Sequence, residues 1–207
     1  CLEGCRVVVD SGVLDYEVGP NRQLVRGTAA HNTVRIDGAD QSEIWGAFRV
    51  ARRAYPLSPS LSQWVQGERG QDRLEFQGGH DGYRRLPDQP VHSRRIRMQP
   101  GGPWEVFDLI AGTNGRHNRA LKSVHRALNY VHLGWDMEVW QEGPATFHLR
   151  HPGSGLLLRL IVTCGSLARL DSGYHFPEFG LRRDNKIISI EREGSLPLEM
   201  HYRIERP

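Results

Sequence analysis

The chain has 207 residues and a mass of 23.5 kDa, enough to enclose one sizeable hydrophobic core. Hydrophobic residues make up 38% and charged residues 25% of it, which excludes an intrinsically disordered tail. The net charge of +3 gives little reason to expect nucleic acid as a partner. The longest apolar run, residues 156–162, contains Arg159 and is too short to span a bilayer. We therefore predict neither a nucleic-acid partner nor a membrane span.

Arginine accounts for nearly all of the positive charge. The chain has 27 basic residues, and only Lys122 and Lys186 are lysine. The planar arginine fork binds carboxylates and sulfates through two parallel hydrogen bonds, which suits an acidic polysaccharide. A biased base composition of the source genome would give the same ratio, so composition alone leaves both interpretations open.

The chain terminus and the cysteines bear on its origin. It begins CLEGCRVVVD, with no initiator Met and no signal-peptide pattern. We therefore expect it to be the C-terminal part of a longer chain. Cys1, Cys5 and Cys164 are odd in number and lack zinc-ribbon or redox spacing. One disulfide can form among them, but nothing in the sequence demands it.

Runs of β-forming residues recur about every ten residues with turn formers between them, as in an all-β sandwich. Runs such as 104–109 alternate apolar and polar residues, as strands buried on one face do. No stretch keeps a helical period of about 3.6 residues between caps. The sequence predicts a single domain over residues 1–207, an antiparallel β-sandwich with little helix. The predicted strands are 6–10, 33–37, 47–54, 62–67, 73–77, 93–98, 104–110, 124–133, 137–141, 145–150, 156–163, 186–192 and 198–204.

Residues 26–43, RGTAAHNTVRIDGADQSE, form the segment richest in polar groups before a predicted strand. His31 and Asn32 lead into a strand that ends in Asp37-Gly38, a hairpin signal. Polar residues at this density destabilise the start of a strand unless they are paired. Their presence here therefore indicates a functional site. There His31 would act as a metal ligand or general base, and Asn32 would polarise a bound carboxylate. The alternative is a histidine that caps the loop through its ring N–H.

RGTAAHNTVRIDGADQSEIWGAFRVARRA, followed by GGHDGYRRL and HSRRI, resembles the C-terminal region of the heparinase II/III family of polysaccharide lyases. The similarity runs over residues 16–108 and continues more loosely through 124–126 and 130–133. It implies a β-sandwich that follows an N-terminal α/α toroid, with a cleft between them where uronic-acid-containing glycans are cleaved by β-elimination. It also implies a periplasmic or secreted bacterial protein whose partners are an acidic polysaccharide and the toroid of the same chain. The toroid would supply a catalytic Asn or His and a Tyr.

The resemblance further implies a zinc ion held by two histidines and an aspartate. His31 and His80 match the two histidines, so we expect them to lie close together on neighbouring strands. The strand expected to carry the aspartate, residues 45–53, has no carboxylate, and arginine cannot replace one. The ligand set that the resemblance implies is therefore incomplete. Three carboxylates nearby are the substitutes: Asp37, Asp40 and Asp81.

Four further residues are predicted to bind substrate. Tyr83, Arg84 and Arg85 come from the turn after His80, and the alternative is a surface hairpin with solvated charges. Trp45, beside the 26–43 segment, is a predicted platform for sugar stacking, whereas Trp104 and Trp140 lie inside strands and are expected in the core.

Two functions remain open from the sequence. In the first, the chain forms one wall of a lyase cleft and is inactive alone, with His31 as its catalytic residue. Alternatively, it is a non-catalytic module that binds acidic glycans or accompanies exopolysaccharide biosynthesis. The sequence upstream of the chain discriminates between them, because only the lyase requires a toroid.

Overall fold

The computed structural model describes residues 1–66, 72–113 and 123–207. Strand makes up 57% and helix 5% of the structure, which confirms the predicted all-β class. A short helix, α1 (Pro20–Arg26), and a 3-10 turn (Thr28–Ala30) come before the strands. The strands of the described residues are β1 (Val34–Ile36), β2 (Pro56–Gln66), β3 (Asp72–His80), β4 (Pro90–Met98), β5 (Trp104–Gly112), β6 (Val124–His132), β7 (Glu138–Glu142), β8 (Thr146–His151), β9 (Leu156–Thr163), β10 (Leu167–Glu178), β11 (Leu181–Ser195) and β12 (Leu198–Glu205).

The strands form two antiparallel sheets. One has four strands in the order β1-β6-β11-β10, and the other has eight in the order β2-β3-β4-β5-β12-β9-β8-β7. Alternate residues of the strands are buried, as in β12, where Leu198, Met200, Tyr202 and Ile204 are buried and their neighbours are not. Burying each such side chain stabilises the fold by about 1.5–3 kcal/mol relative to leaving it in water. The alternation visible in the sequence thus gives strands such as β9 and β12 one face toward a shared core.

The predicted strand at 47–54 is wrong. Residues 47–54 lie in a loop. In the described structure their only β-bridge is the isolated one between Val50 and Ile44. The loop closes on itself through Trp45 N–H to the Arg49 carbonyl, at 3.1 Å. It is also held by α1, because the Arg22 and Arg26 guanidiniums both donate to the Ala47 carbonyl. Local hydrogen bonds and two arginines therefore replace the strand partner that the apolar alternation had suggested.

Three smaller differences concern single elements. Residues 6–10 form only one bridge, Val8 to Leu133, rather than a strand. Strand β10 was not predicted, because glycine, proline and charged residues interrupt its apolar pattern. Trp104 packs against the core as expected, whereas Trp140 is 45% exposed and stacks on His148. The expectation of a buried Trp140 is wrong because β7 is the edge strand of its sheet.

The cysteines and the helices add two observations. Cys1, Cys5 and Cys164 are all free thiols in the structure. Within the described residues, no helix has the length and apolar character needed to cross a membrane.

Candidate functional site

His31 lies at the end of the 3-10 turn, in extended backbone three residues before β1. Its neighbour Asn32 fixes this position. The Asn32 side chain donates to the Val9 carbonyl at 2.8 Å and accepts the His132 backbone N–H at 2.7 Å. It thereby joins the loop to the N-terminal segment and to β6. These backbone contacts use the amide oxygen and one N–H of the Asn32 side chain, and its predicted contact with a substrate carboxylate stays a prediction.

Asp10 is the partner of His31. The Asp10 Oδ2 lies 2.6 Å from His31 Nδ1, and the two side chains are 57% and 38% exposed. This hydrogen bond raises the pKa of His31 above its ordinary value, although partial burial opposes it. With Nδ1–H donating to the carboxylate, the neutral ring carries its lone pair on Nε2, which is the arrangement of a general base. Sequence analysis missed Asp10, whose only signal is a carboxylate that ends the apolar run of the N-terminal segment.

A cavity of about 290 Å³ opens beside His31. Arg26, Gln41, Ser42 and Arg53 contribute to its lining. In the described part of the chain, the guanidinium of Arg53 has no hydrogen bond and no carboxylate within 4.0 Å. An unpaired guanidinium next to a basic imidazole suits a ligand that carries a carboxylate. Arg53 was not among the predicted site residues, because nothing local distinguishes it from Arg52.

Trp45 lies at the end of the loop that borders this cavity. The loop residues Ile44 and Val50 line the cavity, and Trp45 is 71% exposed. A large aromatic face in water beside a polar cavity is suited to stacking on a sugar ring. Its predicted role as a stacking platform stays a prediction.

His80, at the end of β3, belongs to a different cluster. Its Nδ1 accepts the Gly82 N–H at 3.2 Å, so its proton is on Nε2, which lies 3.3 Å from His92 Nδ1. His92 in turn lies 2.7 Å from Asp108 through its Nε2. The three side chains form a relay in which each ring donates once and accepts once. Burial, with a smaller contribution from His92, lowers the pKa of His80 to about 4, so the His80 ring is neutral near neutral pH.

Asp108 is the buried end of this relay. Its side chain has no exposed surface, and it accepts hydrogen bonds from Arg94 at 2.7 and 2.9 Å and from Asn129 at 2.7 Å. Burial alone would raise the pKa of Asp108, but the charge of Arg94 and the His92 hydrogen bond hold it below its usual range. Arg94 also donates to the Asn32 carbonyl, so the relay is connected to the His31 loop. Sequence analysis missed this cluster because its members are far apart in the chain.

The contacts of His31 and His80 do not fit one shared zinc ion. His31 Nδ1 faces Asp10, whereas both ring nitrogens of His80 are engaged by Gly82 and His92. Across residues 1–66, 72–113 and 123–207, no group of three or more His, Cys, Asp or Glu side chains is arranged to hold a metal ion. Zinc binding and the ligand roles of His31 and His80 stay predictions, which metal analysis of the purified protein can test.

The turn after His80 places its tyrosine inside the protein. Tyr83 has no exposed surface, and its hydroxyl donates to the Val34 carbonyl at 2.7 Å. Burial raises the pKa of Tyr83, so the phenol stays protonated. This position does not fit the substrate contact predicted for Tyr83. Arg84 is exposed on the same turn, and its predicted contact with substrate stays a prediction.

Arg85 joins the two loops whose sequences carry the family resemblance. Its guanidinium donates to the backbone carbonyls of Asp40, Gln41 and Gly82, and its Nε lies 3.5 Å from Glu43. These contacts occupy the donor groups that a substrate carboxylate would need. The arginine therefore holds the 26–43 segment against the His80 turn, which differs from the substrate-binding role predicted for it.

The fold and the site define an all-β sandwich domain with an Asp–His pair beside a basic cavity. Residues 1–201 match the family model described as heparinase II/III-like, C-terminal, so the chain belongs to this family. This confirms the resemblance that the HNT and HDGY segments indicated. A search of curated proteins finds no match to the chain.

Solved structures with the same fold are polysaccharide lyases. A mutant of the heparan sulfate lyase HepC from Pedobacter heparinus superposes with a TM-score of 0.70 at 13% identity, over 96% of this chain and 28% of the lyase. The heparinase III BT4657 gene product gives a TM-score of 0.67 at 14% identity, over 96% of this chain and 27% of that protein. The chain therefore spans under a third of the length of these relatives. At such identities the similarity shows the fold.

Proposed function

We propose that the domain forms one wall of the substrate cleft in a polysaccharide lyase that acts on uronic-acid-containing glycans by β-elimination. The observation that carries the proposal is the Asp10–His31 pair, which opens onto a cavity that Arg53 also lines. A base and a carboxylate-binding cation side by side are what abstraction of a proton next to a carboxylate requires. Family membership and the likeness to lyase structures support the same reaction class.

In this mechanism His31 Nε2 takes the proton from C5 of the uronate, while Nδ1–H remains on Asp10. The negative charge of Asp10 stabilises the imidazolium that forms, and Arg53 stabilises charge that develops on the uronate carboxylate. The electron pair of the broken C5–H bond forms the C4–C5 double bond, and the C4–O4 bond breaks. The departing O4 takes a proton from an acid, which we assign to the toroid that precedes this domain in the family. Because the acid lies in the toroid and the base in this domain, the domain is inactive alone.

The polysaccharide partner also bears on where the protein works. Acidic glycans of this kind lie outside the cytoplasm, which supports a periplasmic or secreted location. The toroid of the same chain is the second proposed partner, and it would close the cleft opposite His31 and Trp45.

The test compares the 207-residue chain with the same chain joined to its upstream toroid, using the ultraviolet absorbance of unsaturated uronate products. We expect turnover only from the longer protein, and loss of that turnover in the His31→Ala variant. As a control, the Asp184→Asn variant changes an exposed residue of β11 that lines neither the His31 cavity nor the Asp108 cluster, and it should retain activity. Turnover by the 207-residue chain itself would contradict the division of machinery, and full activity of His31→Ala would contradict the assigned base.

One observation favours the alternative of a non-catalytic glycan-binding module. The ligand set implied for zinc lacks its aspartate, and the contacts of His31 and His80 do not fit one shared ion, as expected of a domain that kept the fold and lost the metal site. A module with Arg53 and Trp45 can bind an acidic sugar without cleaving it. Binding of uronate oligosaccharides by the longer protein without any product absorbance would support this alternative over the lyase.

A further inference from the structure

The outer face of the eight-stranded sheet carries a row of side chains that belongs to neither cluster described above. Register places Arg95 of β4 opposite Phe107 of β5, and Phe107 opposite His201 of β12. The row continues to Gln77 of β3 on one side and to Thr163 of β9 on the other. The flanking residues in these strands point into the core, so the row lies on the sheet face opposite the Asp108 cluster.

Stacking contacts hold this row in place. The rings of Phe107 and His201 lie 4.1 Å apart at an angle of 4°, and Thr163 Oγ1 lies 2.6 Å from His201 Nδ1. The guanidinium carbon of Arg95 lies 4.8 Å from the Phe107 ring centre on the same sheet face. A guanidinium held over an aromatic ring keeps its N–H groups in a fixed plane, which favours recognition of a planar anion.

Arg95 forms no ion pair in the part of the chain that the structure describes. No carboxylate lies within 4.0 Å of it, and its Nε is shielded from solvent without a hydrogen-bond partner. The neighbouring Arg97, by contrast, is bonded to Glu75 at 2.8 Å. A shielded donor without a partner destabilises the protein, and a bound anion would remove that cost.

A cavity of about 350 Å³ lies over Arg95 and Phe107. Its lining also includes the polar residues Ser93 and Glu199 and the half-exposed Leu109. This volume is at the small end of the range for ligand sites. The carboxylate of Glu199 disfavours a free inorganic anion but accepts hydrogen bonds from hydroxyls. One anionic group beside hydroxyls and an apolar ring face is the chemistry of an acidic sugar.

We propose that this cavity is a second binding site for an acidic glycan, in which Arg95 binds the carboxylate or sulfate of one sugar residue and Phe107 supports its ring. The site lies across the eight-stranded sheet from the inner core and is separate from the His31 cavity. A glycan bound there would be retained on the protein without being placed for reaction. The proposal goes beyond the lyase function and does not depend on it.

The experiment titrates the protein with a uronate tetrasaccharide, its sulfated counterpart and its carboxyl-reduced neutral analogue, by calorimetry in a background that carries Arg53→Gln and Trp45→Ala. That background removes the two sugar-binding groups proposed for the His31 cavity while leaving Arg95 intact. We expect Arg95→Gln to weaken binding of an anionic tetrasaccharide by about tenfold or more. Arg95→Lys keeps the charge but not the fork, and should give an intermediate Kd. Comparison of the sulfated and unsulfated sugars shows which anionic group is bound.

Arg150→Gln is the matched control, because it removes one arginine from β8 where Glu138 already pairs with it. This variant should bind as the background does, and the neutral analogue should bind equally weakly to all variants. The same Kd for Arg95→Gln and its background would overturn the proposal, as would an equal loss in Arg150→Gln. Melting curves of each variant confirm that the fold is intact. An inactive lyase would leave the binding result unaffected, so the two proposals fail separately.

Discussion

At the scale of single residues, His31 and His80 have pKa values shifted in opposite directions, and they have different roles in the domain. The hydrogen bond to Asp10 raises the pKa of His31, whereas burial lowers that of His80 to about 4. His31 is partly exposed beside a cavity and can exchange a proton with a ligand. His80 stays neutral in the relay, where its protonation at Nδ1 would break the hydrogen bond from the Gly82 N–H. The histidine beside the cavity is therefore suited to catalysis and the one in the relay to holding the structure.

The Asp10→Asn variant tests the pair at His31. Removing the carboxylate charge should lower the pKa of His31 toward or below its ordinary value, measured by NMR titration of the ring protons. In a lyase assay of the longer protein, the acid limb of the pH profile should move to lower pH while the maximal rate falls. Asp184→Asn removes an equal charge from an exposed position and should leave the titration unchanged. An unaltered His31 titration in Asp10→Asn would contradict the pairing.

A rise in pH changes the stabilisation from the His31 ring and from the His80 ring in opposite directions. Since the folded pKa of His31 is raised, its pair with Asp10 stabilises the fold fully below pH 6.5 and loses that contribution as pH rises through the folded pKa. Since the folded pKa of His80 is lowered, its contribution is present above pH 6.5 and is lost as pH falls toward about 4.

The His80→Gln variant isolates the second effect. Between pH 6.5 and about 4, the wild-type free energy of unfolding should fall with a slope steeper than that of the variant. The difference approaches about 1.4 kcal/mol per pH unit, the value for one proton. Urea unfolding at a series of pH values measures this difference in slope. The loss of unfolding free energy that His80→Gln shows above pH 7 is the part of its effect that does not depend on protonation of His80. Parallel slopes in the two proteins would show that His80 is not held neutral by the fold.

At the scale of elements, Asp108 connects the two sheets. It lies on β5 of the eight-stranded sheet, where Arg94 of β4 and His92 bind it, and Asn129 of β6 donates to it from the other sheet. A buried carboxylate with this many donors is stable only while all of them are present. The cluster therefore sets the relative position of the sheets near the His31 loop, which Arg94 also contacts.

The Asp108→Asn variant should lower the free energy of unfolding by about 3–5 kcal/mol, because it leaves the charge of Arg94 buried without its counterion. Denaturant unfolding followed by circular dichroism measures the loss. The double variant Asp108→Leu with Arg94→Met removes both charges and should be less destabilised than the sum of the single Asp108→Leu and Arg94→Met changes. Additive losses in that comparison would show that the two side chains do not stabilise each other.

Some strands were predicted correctly from the sequence and others were not, and the difference has a physical cause. Strand β9 was predicted with the observed bounds because residues 156–162 form a nearly continuous apolar run, and β8 and β12 pair with it on either side. The 47–54 segment alternates apolar and polar residues, but in the described structure it pairs only with residues 43–45 of its own loop, and Arg22 and Arg26 bind its backbone. Strand β10 lacks the alternation and forms because β11 offers a long antiparallel partner. Local pattern predicts a strand only where a partner strand is also available.

At the scale of the whole molecule, the two proposed glycan sites lie in different parts of the sandwich. The His31 cavity is beside the entry to β1, an edge strand of the four-stranded sheet. The Arg95 cavity is on the outer face of the eight-stranded sheet, over its central strands. Arginine serves both sites and also the structure, since Arg85 and Arg94 are bound to backbone or buried groups. The high arginine content therefore has several separate uses in the fold.

The sequence by itself determined the all-β class, most of the strands and the family, and it led to the prediction of a site around His31. These follow from alternation along single strands and from short contiguous motifs, which are local properties of the chain. Only the tertiary structure decided that Asp10 pairs with His31, that His80 pairs with His92 rather than with His31, and that Tyr83 is buried. Each of these depends on the register between segments distant in sequence, and no local pattern specifies that register. The same holds for Arg95, whose lack of a counterion becomes visible only when the neighbouring strands are in place.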